Sequence, residues 1–314
     1  MKVLVNDGLE EVGIKMMEDA GITVDTTHIP QEKLMDVLPA YDGICVRSNT
    51  KVRQALIDVC PNLKAIGRGG VGLDNIDTDY ARSKGIQVIN TPEASSRSVA
   101  ELVFGHALSL SRFLHMAHKE MPVSGYESFS TLKKSYAKGL EMTGKTLGIL
   151  GLGRIGQELA SIALGFGMKV VVFDPFVAEA TIHVGNPKLK CTYILKSETY
   201  EKLLLNSDYI SLHIPALSEP ILNERAFEMM KKGVIILNAS RGASIDELAL
   251  LKALDSGKVA MAGLDVFMNE PTPKREILEH PRVSSSPHIG GSTIEAQNKI
   301  GIELANKMIA ALTK

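Results

Sequence analysis

Apolar residues fall in short unbroken runs along this chain, and the segments between those runs carry apolar residues at helical spacing. The first series has the runs KVLV, GICV, KAIG and QVIN, within residues 2–90, separated by LEEVGIKMMEDAG, VRQALIDVC and TDYARSKG. Runs that are apolar at consecutive positions, rather than at every second one, suit strands buried on both faces. Strand and helix in alternation then predict a parallel sheet. A second series begins at TLGIL (146–150) and continues through KVVVFD, DYISLH, VIILN and VAMAGLDV, with helical segments such as ERAFEMMKKG and DELALLKALDSG between them. The fold class read from this pattern is α/β, with two doubly wound parallel-sheet units.

Helical periodicity also runs from Ser96 to His118, which predicts a helix leading out of the first unit. The stretch that follows, PVSGYESFSTLKKSYAKGLEMTGK, has no sustained apolar pattern and reads as an excursion. At the other end, Ser292 to Leu312 is amphipathic, and Thr293 and Glu295 supply N-terminal capping chemistry. This last helix is expected to return the chain to the first unit.

Composition sharpens the class. The 314 residues are 45% hydrophobic and 23% charged, the profile of a globular protein of about two domains. A formal net charge of −1 with no basic block lacks the footprint of a nucleic-acid binder, so a small molecule is the expected partner. The apolar run at the N-terminus breaks at Asn6 and Asp7, too early for a leader or a membrane span, and a cytoplasmic protein is expected. Cys45, Cys60 and Cys191 form no C-x-x-C pair, so they read as buried reduced thiols, and no metal is expected.

The strongest local signal is TLGILGLGRIGQELASIALGFGMKVVVFDP. A strand runs into Gly151-x-Gly153-x-x-Gly156 and a helix, and a second strand ends at Asp174. Glycines at this spacing give a tight turn, let a pyrophosphate approach the backbone and pack helix on strand, while the helix N-terminus offers its N–H groups. Asp174, eighteen residues beyond Gly156, suits the hydroxyls of an adenosine ribose and repels a 2′-phosphate, which favours NAD over NADP. A glycine turn alone would be weak; here the whole βαβ unit and its acid are in place.

Three later fragments set an ionisable residue just beyond an apolar run: VIILNASRGAS with Arg241, AGLDVFMNEP with Asp265 and Glu270, and SPHIGGST with His288. Ligands of doubly wound sheets bind outside the carboxyl ends of the strands. An alcohol oxidised by a nicotinamide needs a base for its proton, and histidine titrates near working pH, so His288 is the candidate. A carboxylate beside it would raise its pKa, which suits Glu270. A guanidinium can hold a 2-hydroxy acid's carboxylate through two parallel hydrogen bonds, which suits Arg241. Taken singly, each has a duller reading: a surface cation, a turn residue, a structural imidazole. His213, closing DYISLHIP, is read as lining the cofactor cleft; His28, His106, His115, His118, His183 and His280 have weaker settings.

With VRSNTKV, GRGGVGLDNID, NTPEASSRSVAEL, GKTLGILGLGRIG, NASRGASIDELAL, GLDVFMNEP and SPHIGGST in this order, the chain resembles the D-isomer-specific 2-hydroxyacid dehydrogenases over essentially its whole length. Within them it is most similar to the short-form phosphoglycerate dehydrogenases. The resemblance implies a flavodoxin-like substrate domain in two parts, residues 1–97 and 288–314, around an NAD-binding Rossmann domain at 98–287, with a cleft between them. It implies Arg241, Glu270 and His288 as the catalytic set and Asp265 as an acid at the nicotinamide carboxamide. Further cofactor contacts are implied at Arg154 and Ile155 of the glycine loop, at Ile214 and Pro215 after His213, and at Ala239, Ser240 and Gly290. Substrate contacts are implied at Arg47, Ser48, Arg68, Gly69, Gly70 and Asn90.

Lys134 matches a basic position that reaches a neighbouring subunit, so a homodimer is implied; from the residues alone, Lys133, Lys134 and Lys138 read rather as a solvated basic face. The segment Phe176–Lys196 departs from the family's usual pattern. The sequence stops after the closing helix, so no regulatory domain and no feedback by serine are expected. The activity implied is NAD-dependent oxidation of a phosphorylated 2-hydroxy acid, 3-phospho-D-glycerate. The alternatives are a glyoxylate or hydroxypyruvate reductase, another D-2-hydroxyacid dehydrogenase, or an NAD-sensing protein of the corepressor type.

Overall fold

A computed structural model of the chain describes residues 1–186 and 189–313. The chain divides into two units: Met1–Ser98 with Gly291–Lys314, and Val99–Gly290.

The first unit is built on five parallel strands: β1 (Lys2–Val5), β2 (Thr23–Asp25), β3 (Gly43–Val46), β4 (Ala65–Arg68) and β5 (Gln87–Asn90), in the order β2-β1-β3-β4-β5. Neighbouring residues of each strand enter different cores. Leu4, Ile44, Val46 and Ile66 pack with Leu34 and Leu56 on one face; Val3, Val5, Cys45 and Ala65 pack with Met17, Leu304 and Met308 on the other. Both faces being covered explains the consecutive apolar positions. The closing helix Ile294–Leu312 is capped by Thr293, whose Oγ1 accepts the N–H of Ala296 at 3.2 Å. It crosses the helix Glu11–Asp19 where two glycines meet: a Cβ on Gly13 would lie 2.6 Å from the Gly301 carbonyl oxygen.

The second unit carries six parallel strands: β6 (Thr146–Leu150), β7 (Lys169–Phe173), β10 (Tyr209–Leu212), β11 (Val234–Asn238), β12 (Val259–Leu264) and β13 (Val283–Ser285), in the order β13-β12-β11-β10-β6-β7. Between β7 and β10 lies an antiparallel hairpin, β8 (Glu179–Asn186) with β9 (Leu189–Lys196). Strand order reverses between β6 and β10, the place where doubly wound sheets open a crevice. The α/β class and both parallel sheets are as the sequence pattern predicts.

Two expectations are corrected. The excursion is helical: a helix at Ser96–Ser111 ends, Phe113 takes a left-handed φ of 58°, and a second helix runs Leu114–Ser135 through Pro122, with non-helical backbone at Ser128. Cys45 and Cys60 are buried but Cys191 is exposed, because it stands on the hairpin rather than in a core. The unusual segment Phe176–Lys196 is that hairpin, with Pro187 and Lys188 outside the described residues. No helix among the described residues is long and apolar enough to cross a membrane.

Candidate active site

The glycine loop follows β6 directly. Gly151 has φ +99°, and a Cβ there would meet the carbonyl oxygen of His213 at 2.3 Å, so the ends of β6 and β10 touch at the point where strand order reverses. A Cβ on Gly156 would lie 2.1 Å from the carbonyl oxygen of Gly151, which lets the helix Arg154–Gly165 start tight against the turn. Gly153 caps that helix without any side-chain hydrogen bond, and nothing lies within 4 Å of where its Cβ would be. The first-turn N–H groups of such a helix, here including Arg154 and Ile155, have no intrahelical acceptors. Asp174 accepts the N–H of Leu152 at 2.7 Å, which ties the loop to the end of β7. At the end of β10 the Nε2 of His213 pairs with Ser211 Oγ at 2.8 Å, and burial pushes the ring's pKa down to about 3, so it is a neutral wall beside Ile214 and Pro215.

Three successive strand ends supply the ionisable residues. After β11, Asn238 organises the turn: its Oδ1 accepts the N–H and the hydroxyl of Ser240, and its Nδ2 donates to the carbonyl of Arg241 at 2.9 Å. Arg241 Nη1 donates to the carbonyl of Ser240 at 2.7 Å. Ala239, between them, packs against the core. Next comes Gly242, where a Cβ would sit 2.0 Å from the backbone carbon of Phe267. The turn after β11 and the loop after β12 are therefore in backbone contact.

On that loop Glu270 Oε1 accepts the N–H of Phe267 at 2.9 Å, and Oε2 meets His288 Nδ1 at 2.8 Å. Glu247, buried at the start of the helix Glu247–Asp255, holds the same loop by accepting the N–H of Met268. His288 itself adopts a left-handed φ of 55°, uncommon for a residue with a Cβ. Asp265 explains how it is kept there. Its buried carboxylate accepts Ser286 Oγ at 2.6 Å, Ile289 N–H at 2.9 Å and Gly290 N–H at 2.8 Å, so the loop carrying His288 is wrapped on one anion.

The electrostatics follow from this geometry. The hydrogen bond to Glu270 raises the pKa of His288 above the ordinary histidine value, burial opposing it, with the charges of Glu270 and Asp265 adding and that of Arg241 subtracting. Burial alone would raise the Glu270 carboxyl; hydrogen bonds from His288 and from the Phe267 N–H, with the charges of His288 and Arg241, bring it below its usual range. With Nδ1 on the carboxylate, Nε2 is the ring nitrogen left for a reacting proton. Such a set can take a proton from a hydroxyl and return it.

Two roles were not foreseen from the sequence. Asp265 was expected at the cofactor, yet all three of these bonds go to the His288 loop. His106, judged weak, extends that network, its ring nitrogens meeting Ser284 Oγ at 3.1 Å and Ser286 Oγ at 2.9 Å. A helix-face histidine gave no signal for this.

In the first unit, Arg68 and Asn90 pair in register at the carboxyl ends of β4 and β5, and Arg47 follows Val46, the residue of β3 that pairs with Arg68. Arg47 donates its N–H to Asp7 at 2.7 Å and bonds Gln297 through Nη2, while its Nε is enclosed with no partner among the described residues. Ser48 is exposed. Gly70 donates to Thr91 Oγ1 at 2.8 Å, and a Cβ on Gly69 would come 3.5 Å from Arg47 Nε. Asn90 Nδ2 donates to the carbonyl of Val71. Lys134 is exposed near the end of the helix Leu114–Ser135. Among the described residues no group of three or more His, Cys, Asp or Glu side chains gathers as metal ligands.

Comparison with known proteins matches residues 104–290 to the NAD-binding domain of the D-isomer-specific 2-hydroxyacid dehydrogenases. The chain belongs to this family. This dehydrogenase is 42% identical to a hydroxypyruvate reductase of Thermotoga maritima, over 99% of its own length and 98% of that protein's. It is 39% identical to the D-3-phosphoglycerate dehydrogenase of Homo sapiens, over 98% of this chain but only 56% of the human protein. Its fold matches an acyclic imino acid reductase solved with NADPH and D-Arg, at a TM-score of 0.85 and 26% identity, covering 100% and 97% of the two chains. The family brings a nicotinamide dinucleotide, and the glycine cradle of this dehydrogenase, open above Gly153, fits one.

The Gly242 contact is testable. Gly242→Ala must push the Arg241 turn away from the Glu270 loop, so kcat should fall at least about tenfold. An unchanged kcat would show that the backbone contact does not position the pair.

Proposed function

We propose that this dehydrogenase oxidises 3-phospho-D-glycerate to 3-phosphohydroxypyruvate with NAD. The single observation that carries the chemistry is the 2.8 Å pair of His288 and Glu270 beside Arg241. When bound, the nicotinamide accepts the hydride from C2. His288 Nε2 takes the hydroxyl proton, and Glu270 stabilises the imidazolium that forms. Arg241 holds the carboxylate and the developing carbonyl, matching them with parallel N–H donors. Asp174 accepts ribose hydroxyls and repels a 2′-phosphate, which sets NAD above NADP. Asp265, Ala239, Ser240 and Gly290 bound the nicotinamide end in this reading.

The phosphate is assigned to Arg47 and Arg68, with Ser48, Asn90 and the N–H groups of Gly69 and Gly70 as further donors. The Nε of Arg47, with no hydrogen-bond partner among the described residues, supports an anionic ligand. A second reading, reduction of hydroxypyruvate, is favoured by the 42% identity to a reductase along nearly its whole length. Arg47→Ala separates them: KM for phosphoglycerate should rise at least about tenfold while KM for D-glycerate changes little. Equal effects on both would remove the phosphate assignment.

The active protein is proposed to be a homodimer. Val123 and Tyr126 stand exposed three residues apart on the helix Leu114–Ser135, Val123 at 86%, with exposed Phe129 just past the non-helical Ser128, and a second copy is the natural cover for these apolar side chains, with Lys134 on the same helix. Sedimentation should give twice the 34.0 kDa chain mass, and Val123→Asp with Tyr126→Asp should give the single mass. Dimers persisting in the double variant would place the interface elsewhere.

A further inference from the structure

Asp174 follows β7 directly, with four residues between it and the hairpin, and its position depends on the residue that comes just after the hairpin. The carboxylate is pinned on both oxygens: Oδ2 accepts the N–H of Leu152 in the glycine loop, and Oδ1 accepts the N–H groups of Phe176 at 2.8 Å and Val177 at 3.1 Å. An ionised carboxylate has about four lone-pair sites, so three backbone donors fix it and still leave room for a ligand. The backbone of Asp174 needs its own partners, because β7 is the last strand of its sheet and Asp174 lies just past its end.

Ser197 supplies them. Its Oγ accepts the Asp174 N–H at 2.8 Å and donates to the Asp174 carbonyl at 2.9 Å, so one hydroxyl satisfies both backbone groups of the acid. The residues around it reinforce the clamp: Ser197 bridges Val172 in parallel register, and the Glu198 N–H donates to the Val172 carbonyl at 2.8 Å. The Ser197 N–H donates to Ala178. The chain thus returns from the hairpin as a short continuation of the sheet beside the end of β7.

The hairpin is in turn fastened to the helix that starts at the glycine loop. Ile182 is buried in the core shared with Leu159 and Ala163, Val184 lies against Gly165, and Ser161 Oγ donates to the His183 carbonyl at 2.6 Å. Glycine loop, helix, hairpin, Ser197 and Asp174 therefore close a ring of contacts. The hairpin thus covers part of the core beside β7 and braces the acid at its end.

We propose that Ser197 is the positioning residue of Asp174, and that through it the β8–β9 hairpin sets the preference for an adenosine ribose with a free 2′-hydroxyl over a 2′-phosphorylated one. This rests on the reading of Asp174 as the ribose-binding acid. With Ser197→Ala both backbone groups of Asp174 lose their partner, so the end of β7 loosens and the carboxylate, still held by its three backbone donors, shifts with it away from a ribose and from a 2′-phosphate alike.

The test is calorimetric titration of the whole chain with NADH and with NADPH, alongside steady-state kinetics. Ser197→Ala should weaken NADH about five- to tenfold, the loss expected for two hydrogen bonds of a part-buried hydroxyl, and leave NADPH within about twofold. The NADH-over-NADPH preference then falls by the same factor, kcat at saturating NADH stays within about twofold, and Ser197→Thr, which keeps the hydroxyl, restores the preference. Equal weakening of both cofactors, or a wild-type preference in Ser197→Ala while Asp174→Ala abolishes it, would overturn the role of Ser197. If Asp174→Ala itself left the preference unchanged, the reading of the acid would fail first and the proposal with it.

Discussion

The 2.8 Å contact between His288 and Glu270 depends on three loops being drawn together at the carboxyl ends of β11, β12 and β13. Parallel strands bring those ends to one edge, but they do not make the loops touch. Two features do. Gly242 removes the atoms that would keep the first loop from the backbone of Phe267, and the Asp265 carboxylate gathers Ser286, Ile289 and Gly290 onto the second. The left-handed backbone of His288 is stabilised by those bonds, since the conformation by itself is unfavourable for a side chain with a Cβ.

The same logic governs the cofactor end. At Gly151 and Gly156 the space a methyl group would need is already filled by backbone carbonyls, so the loop can close only on glycine. Close backbone approach is the common constraint of both halves of the unit. It makes a close-packed frame from which the half-exposed His288 ring presents its reacting nitrogen.

Much of this was legible in the sequence, and the misses have physical causes. Strands such as KVLV and VIILN announce themselves because both their faces are buried. The short edge strands β2 and β13 carry too few apolar residues to do so. The helix through Pro122 was read as an excursion because Pro122 and the non-helical Ser128 interrupt it and only Gly125 and Leu132 of it are buried, so no sustained apolar pattern runs along it. The glycine loop and the Arg241, Glu270 and His288 set were visible because each follows an apolar run. The Asp265 network was not, since an acid at a strand end looks the same whether it meets a ligand or its own chain. The partners of His106 and Glu247 lie far away in sequence, 178 and 21 residues on, and nothing local marks them.

The central claim is that Glu270 sets the protonation of His288. Oxidation needs the neutral ring, so its kcat/KM should fall as pH drops through the His288 pKa, and reduction, which needs the charged ring, should fall as pH rises through it. The direct measurement is a titration of the His288 ring by nuclear magnetic resonance in the wild type and in Glu270→Gln. The account predicts a wild-type pKa above the ordinary histidine value and an acidward shift in the variant, with both kinetic limbs moving the same way. A His288 pKa that stays in place, or rises, when Glu270 loses its charge would contradict it.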